Sequence, residues 1–237
     1  MEGKDHALSG ALVFAGLAPL TVPLTGPELA VGTILTAGAA LLPDFDEPGS
    51  TISREGGWLT SGFAHLVHWA AGGHRRGTHT LLGTVIFTAT AVLAVTEASN
   101  WGGKAWLFLW LALLISAALR VLPLPGRGHL LDTAGTAAAA GMCFWHNGLA
   151  LVPACVGLGV LAHIAGDELT HGGCPFLWPV FNHKFHLLPK RLQFTTGAAF
   201  ESVFLSPALT VALTVVVLWD TGGIGWLAVH TSGHLAH

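Results

Sequence analysis

The sequence predicts an all-α, polytopic transmembrane helical bundle of about six or seven spans, with a metal site at one membrane face. Three observations carry this expectation. Hydrophobic residues make up 52% of the 237-residue chain and charged residues only 10%, against roughly 25% charged in an average soluble domain. The apolar residues gather into seven nearly uncharged segments, and the mean hydropathy is +0.63. Finally, residues of metal-ligand type (His6, Asp44, Asp46, His74, His79, His163 and Asp167) lie in or beside the joining stretches. Counting crossings from the N-terminus puts all of them at the same face.

The first segment, residues 8–24, follows MEGKDHALSG. That start has no basic n-region and no small-residue cleavage site, so the segment reads as a retained span. The turn Pro23-Leu24-Thr25-Gly26-Pro27 makes a hairpin with the second segment, 29–43, which ends where Pro43 removes a helix donor. Residues 44–79 form a long connection containing GWLTSGFAHLVHWAAGG. Its Trp58, Phe63, Leu66, Val67 and Trp69 suit a helix lying in the membrane interface. Segments 80–96 and 105–122 follow, then 132–146 and 149–166, paired by the turn Asn147-Gly148. A second long connection, 167–198, carries Lys184, Lys190 and Arg191 and precedes the last segment, 199–218. Segments 29–43 and 132–146 are shorter than the ~20 residues of a free span, so neighbouring protein must cover their ends. Small residues at Gly38-Ala39-Ala40 and from Ala137 to Gly141 let helices approach closely. With no repeat and no linker, residues 1–237 read as one domain.

Basic residues orient the bundle. Lys4, Arg54, Arg75, Arg76, Arg120, Arg127, Lys184, Lys190 and Arg191 fall on the side of the metal-ligand types, and only Lys104 falls on the other. By the positive-inside tendency that side is cytoplasmic, giving a multi-pass inner-membrane protein with its N-terminus and metal site inside. Trp101, Trp106, Trp219 and Trp226 cluster at the opposite ends of spans, as interfacial aromatics do.

Several function classes drop out. A net charge of −3 gives no reason to expect a nucleic-acid partner. Cys143, Cys155 and Cys174 show no C-x-x-C spacing, so neither a disulfide framework nor a thiolate zinc site is expected. The chain has no H-E-x-x-H, no G-x-S-x-G and no Walker-type or G-x-G-x-x-G loop.

Three motifs carry chemistry. In HIAGDELTHGG, His163 and Asp167 are four apart, so a helix points both to one face. An imidazole and a carboxylate so placed can share a metal ion. His171, further along, reads equally as a solvated loop residue. In LLPDFDEPGS, Asp44 and Asp46 emerge at the membrane surface just after Pro43. In HRRGTHT, His74 and His79 flank a glycine turn before the third segment, and the arginines between them suit an anionic oxygen. His6, beside Lys4 and Asp5, completes the set. His65, His68, His129, His183, His186, His230, His234 and His237 read as solvated or core residues.

An early His, then L-P-D-x-D, H-R-x-x-T-H and H-x-x-x-D-x-x-T, running from His6 to Pro179, resembles the YdjM-like family of bacterial inner-membrane proteins, described as metal-dependent hydrolases. A distant similarity of that family to zinc-dependent phospholipase C implies clustered His and Asp ligands in an all-α fold. The resemblance carries onto His6, Asp44, Asp46, His74, Arg75, Thr78, His79, His163, Asp167 and Thr170. Where the family often has proline after that threonine, this chain has His171. The implied activity is hydrolysis of a phosphoester, including a lipid one, by metal-activated water. The implied cofactors are two or three divalent ions, zinc first and manganese as the alternative. Asp44 and Arg75 would serve catalysis, with His6, Asp44, Asp46, His74, His79, His163 and Asp167 as ligands and membrane lipids as partners. The rivals are a metal transporter or channel, which would place ionisable groups at mid-membrane, and a non-catalytic membrane protein with a structural metal.

Overall fold

Side-chain caps start two of the helices, and a left-handed glycine ends a third. The computed structural model describes residues 1–121, 129–145 and 149–223. Arg127, Asn147, Gly148, Trp226, His230, His234 and His237 lie outside the described residues. Helix α1 is Gly3–Thr21, so His6 sits inside the first helix and not ahead of it. Helix α2, Gly26–Ala39, starts with a capping box: the Thr25 hydroxyl accepts from the Glu28 N–H, and the Glu28 carboxylate accepts from the Thr25 N–H at 2.8 Å. After α2 the chain tightens into 3₁₀ turns at Pro43–Asp46 and Ile52–Arg54. Helix α3 is Trp58–Ala71, ended by Gly72 in the left-handed region at φ 78°. A further 3₁₀ turn, Gly77–His79, leads into α4, Leu81–Thr96, where the Thr80 hydroxyl caps the Gly83 N–H at 3.0 Å.

The rest of the bundle is α5, Trp101–Val121; α6, His129–Met142; and α7, Val152–Glu168. A π-helical turn, Glu201–Leu205, then opens into α8, Ser206–Asp220. No strand occurs among the described residues. The loop between α7 and α8 has only two isolated bridges, Thr170 with Phe194 and Cys174 with Phe185.

Helix α1 packs on α2, α7 and α8, α2 also packs on α5 and α7, and α4 packs on α5 and α7. Small residues make these approaches possible. A Cβ at Gly38 of α2 would collide with the Leu114 carbonyl of α5, and one at Gly159 of α7 would stand 2.6 Å from the Ala39 Cβ. In lipid there is little hydrophobic drive between helices, so this close van der Waals packing does the holding.

Four described segments are long and apolar enough to cross a membrane: Gly26–Asp46, Leu81–Ser99, Trp101–Val121 and Glu201–Asp220. Six or seven spans were expected, and α1, α6 and α7 account for the difference. The first turns of α1 hold Lys4, Asp5 and His6. Helix α6 has 14 residues, a rise of about 21 Å against a hydrocarbon core of about 30 Å. Helix α7 is largely buried by its neighbours and ends in Asp167 and Glu168, so it acts as the core of the bundle. The segment 29–43 is longer than it looked, because the turns after α2 continue it to Asp46.

The stretch expected to lie at the interface forms a helix, α3, over Trp58–Ala71. Trp58, Leu59, Phe63, Leu66 and Trp69 are exposed on it, while Ala64 and Ala71 are buried.

Candidate metal centre

The fold brings all seven expected ligand residues into one cluster. Helix α1 supplies His6, the 3₁₀ turn after α2 supplies Asp44 and Asp46, the turn before α4 supplies His74 and His79, and α7 supplies His163 and Asp167. They form three overlapping groups with metal-ligand spacing: His6, His163 and Asp167; Asp44, His79 and His163; and Asp46, His74 and His79. His6, Asp46, His79, His163 and Asp167 are buried. Asp44 keeps 23% of its side chain exposed.

Hydrogen bonds at the back of each ring fix what faces the centre. His163 Nδ1 lies 2.7 Å from the Ala40 carbonyl. A carbonyl only accepts, so that nitrogen carries the hydrogen and Nε2 presents a lone pair. His79 Nδ1 lies 3.0 Å from Thr78 Oγ1 and 3.4 Å from Asp46 Oδ2. Because the Thr78 hydroxyl donates to Asp46, its oxygen accepts from His79 Nδ1. His79 Nε2 is thereby also turned inward, 3.1 Å from His163 Nε2. Both nitrogens stand 3.7 Å from Asp44 Oδ1 and 3.8 Å from Asp167 Oδ2.

Two inward lone pairs at 3.1 Å repel unless a cation lies between them. A proton can serve. Burial opposes charge on His79, but hydrogen bonds to Asp44 and Asp46 outweigh it and raise its pKa to about 9. A divalent ion serves equally well. Zinc held at about 2.0–2.2 Å in tetrahedral geometry puts its ligand atoms roughly 3.3–3.6 Å apart, close to the separations here. The donor set of imidazole nitrogen and carboxylate oxygen suits zinc or manganese.

Asp46 and Asp167 organise the two flanks. Asp46 accepts from His74 Nδ1 at 2.7 Å, from the Arg75 backbone N–H at 3.2 Å and from Thr78, while its own carbonyl meets His68 Nδ1 at 2.7 Å. Asp167 meets the Met1 amine at 2.6 Å, His6 Nε2 at 3.3 Å, and Arg75 through Nε at 3.1 Å and Nη2 at 3.3 Å. His6 also stacks on His163, ring centroids 3.6 Å apart, and its Nδ1 is buried without a hydrogen-bond partner. Arg75 has φ 59°, which for a non-glycine residue costs on the order of 1–3 kcal/mol. Its two-ended grip, backbone on Asp46 and side chain on Asp167, offsets that cost.

Other sequence candidates fall outside the cluster. His171 pairs with Gln193 at 3.1 Å on an exposed loop, and His65 bonds the Ser61 carbonyl at 2.8 Å. His186 bonds the Thr170 carbonyl at 3.2 Å, and Thr170 in turn donates to the Asp167 carbonyl at 2.8 Å. Cys143, Cys155 and Cys174 are free and buried. Burial, together with the charge of Asp167, pushes the Cys174 thiol up, so it offers no thiolate. His68 was the residue missed. Its place on α3, facing the turn that carries Asp46, is a tertiary fact that local spacing does not announce.

The early histidine, the L-P-D-x-D turn and the H-R-x-x-T-H turn lie within residues 1–122, which match the family model described as YdjM inner membrane protein. The chain belongs to the YdjM inner membrane protein family. The YdjM match covers five of the seven clustered residues, His6, Asp44, Asp46, His74 and His79. It ends before His163 and Asp167, which only the fold connects to the rest. The chain is thus a membrane protein with a buried His and Asp cluster. No curated protein and no solved structure gives a significant match.

Proposed function

We propose that this protein is a membrane-bound, metal-dependent hydrolase acting on a phosphoester. The observation that carries the reading is the facing pair of Nε2 atoms on His79 and His163, with Asp44 Oδ1 beside both. Three protein ligands and one open position are the pattern of catalytic zinc sites. In this reading Asp44, His79 and His163 hold one ion. Thr78, itself bonded to Asp46, and the Ala40 carbonyl hold the back nitrogens of the two rings, the outer support that sets ligand direction and basicity. His6 and His74 then stand behind the ligands, and the larger ligand set and ion count inferred from the family resemblance contract to one ion. A bound divalent ion would supply Lewis acidity and lower the pKa of water.

The residues of the chain do the rest. Asp167 Oδ2, 3.8 Å from both inward nitrogens, is placed to accept a hydrogen bond from a water at the centre and orient it, while its ion pairs with Arg75 and the Met1 amine keep it anionic. Arg75 keeps Asp167 oriented and its charge balanced. Partly exposed Asp44 marks the side from which substrate enters. The basic residues near the cluster favour a cytoplasmic-face site in an inner-membrane, multi-pass chain. The exposed aromatic face of α3 favours a substrate at headgroup depth.

The test is a panel of phosphate mono- and diesters, soluble and lipid, assayed with purified protein of measured metal content. Metal-dependent turnover of at least one ester, lost in Asp44→Asn, is expected. A fully metal-loaded protein that hydrolyses none of them overturns the hydrolase reading.

A further inference from the structure

Beside Asp44 lies a cavity of about 210 Å³, walled by Asp44, Ser50, Thr51 and Arg54 and by Gly3 at the start of α1. At about 30 Å³ per water it holds some seven waters' volume. That suits a compact polar group and is too small for an acyl chain.

Arg75 was the expected partner for a substrate anion, but its guanidinium is committed to Asp167 through two nitrogens. Arg54 is differently placed. Among the described residues it forms no ion pair with a carboxylate. Its Nε donates to the Ser50 carbonyl at 3.3 Å, which leaves the terminal Nη atoms for a ligand. The same Ser50 carbonyl accepts from the Ser53 hydroxyl at 3.0 Å, and the Ser50 hydroxyl donates to the Asp44 carbonyl at 2.8 Å. A short chain of bonds therefore ties the guanidinium to the turn that carries Asp44. An exposed arginine tied in this way, on the wall of a polar cavity that Asp44 also lines, offers the planar fork that binds phosphoryl oxygens. Gly3 brings the positive end of the α1 dipole to the same space.

We propose that this cavity is the anion subsite of the protein, with Arg54 as the residue that binds a phosphoryl group next to Asp44. The proposal deepens the hydrolase reading and rests on it, naming a phosphate ester as substrate. A soluble ester and a lipid headgroup present the same chemistry to Arg54.

Inorganic phosphate is the probe, titrated calorimetrically into detergent-solubilised protein with and without bound zinc. Zinc content is measured on every sample. Wild-type protein should bind phosphate, and Arg54→Ala should weaken binding by about tenfold to a hundredfold, the range for a charge-assisted hydrogen bond. Arg54→Lys should recover part of the loss, and zinc content should be unchanged in both. Lys190→Ala, on the exposed second connection, should bind as wild type does.

Equal binding by wild type and Arg54→Ala, equal weakening by Lys190→Ala, or no phosphate binding by wild type would each overturn the subsite. Wild-type protein that takes up no zinc but still loses phosphate binding in Arg54→Ala would overturn the metal reading and leave the subsite standing. Competition separates the two ligand sources. Displacement of phosphate by glycerol 3-phosphate alone assigns a soluble ester, and displacement by short-chain phosphatidic acid in mixed micelles assigns a headgroup. Either supports the subsite, and displacement by neither counts against it.

Discussion

His79 and His163 point their Nε2 atoms at each other across 3.1 Å, each ring held from behind through Nδ1. The two rings come from opposite halves of the chain, one from the turn before α4 and one from α7. Their facing requires a shared cation, and the carboxylates of Asp44 and Asp167 around them supply the balancing negative charge.

Metal content should follow this division of labour. One zinc or manganese per chain is expected by elemental analysis, with near-complete loss in His163→Ala and in Asp44→Asn. Asp46→Asn should weaken affinity by about 10–100-fold, the usual effect of losing an outer-shell partner. His74→Ala should have a smaller effect, since His74 touches Asp46 and not the inward nitrogens. Two or three ions per chain, with His74→Ala as damaging as His163→Ala, would show that the outer group is itself a metal site.

Metal affinity should depend on pH through His79. Its pKa in the folded, metal-free protein is raised to about 9, so near neutrality the ion must displace a proton. Affinity should therefore rise by about tenfold per pH unit from near neutrality and level off close to that pKa. For the metal-free protein the sign is opposite. A raised pKa contributes stability that is fully present below about 6.5 and is lost as pH climbs through about 9. Zinc titrations and thermal melts in one buffer series check both slopes.

Packing gives an independent handle. Gly38→Leu places a side chain against the Leu114 carbonyl of α5, with no flexible neighbour to yield. Overpacking commonly costs about 1–3 kcal/mol, and here backbone would have to move. Thermal denaturation in detergent should show a clear loss of stability for Gly38→Leu. Gly62→Ala, on α3 with nothing near its added Cβ, should be close to neutral.

Much of this architecture was legible as hydropathy and spacing. The apolar runs became α1, α2, α4, α5, α6, α7 and α8, and the i, i+4 relation of His163 and Asp167 put both on the inner face of α7. The H-R-x-x-T-H turn likewise delivered His74 and His79 to one place. Ligand ranking was not legible, because it depends on which groups sit behind each ring, and Ala40 is 123 residues from His163. Nor could the sequence reveal that Arg75 is absorbed by Asp167 while Arg54 is left facing a cavity. Four described segments meet the length and apolarity of a span, whereas α7, as apolar as expected, is largely covered by its neighbours, a distinction that composition does not carry.

Sidedness should be measurable by cysteine labelling. Native Cys143, Cys155 and Cys174 are buried, so background reaction should be low. Ser53 is buried, whereas Glu47 and Asn100 are exposed and make the better pair. Cysteines at Glu47 and Asn100 should react from opposite sides, Glu47 from the cytoplasm. Labelling of both from the periplasm would reverse the orientation drawn from the basic residues.

Catalysis provides the last prediction. Asp44→Asn keeps the shape of the side chain but removes an anionic metal donor, so hydrolysis should fall far more than stability does. Arg75→Ala should leave metal content near wild type, because Arg75 touches Asp167 and none of Asp44, His79 or His163. Turnover should still drop, by about tenfold or more, because Asp167 loses the guanidinium that orients it beside the centre. Arg75→Lys should recover only part, since a single ammonium cannot reproduce the two-nitrogen grip on Asp167. Assays at matched metal loading separate these effects from loss of the ion. If Asp44→Asn and Arg75→Ala both match wild type on every ester hydrolysed, the chemistry lies elsewhere and the cluster is a structural metal site.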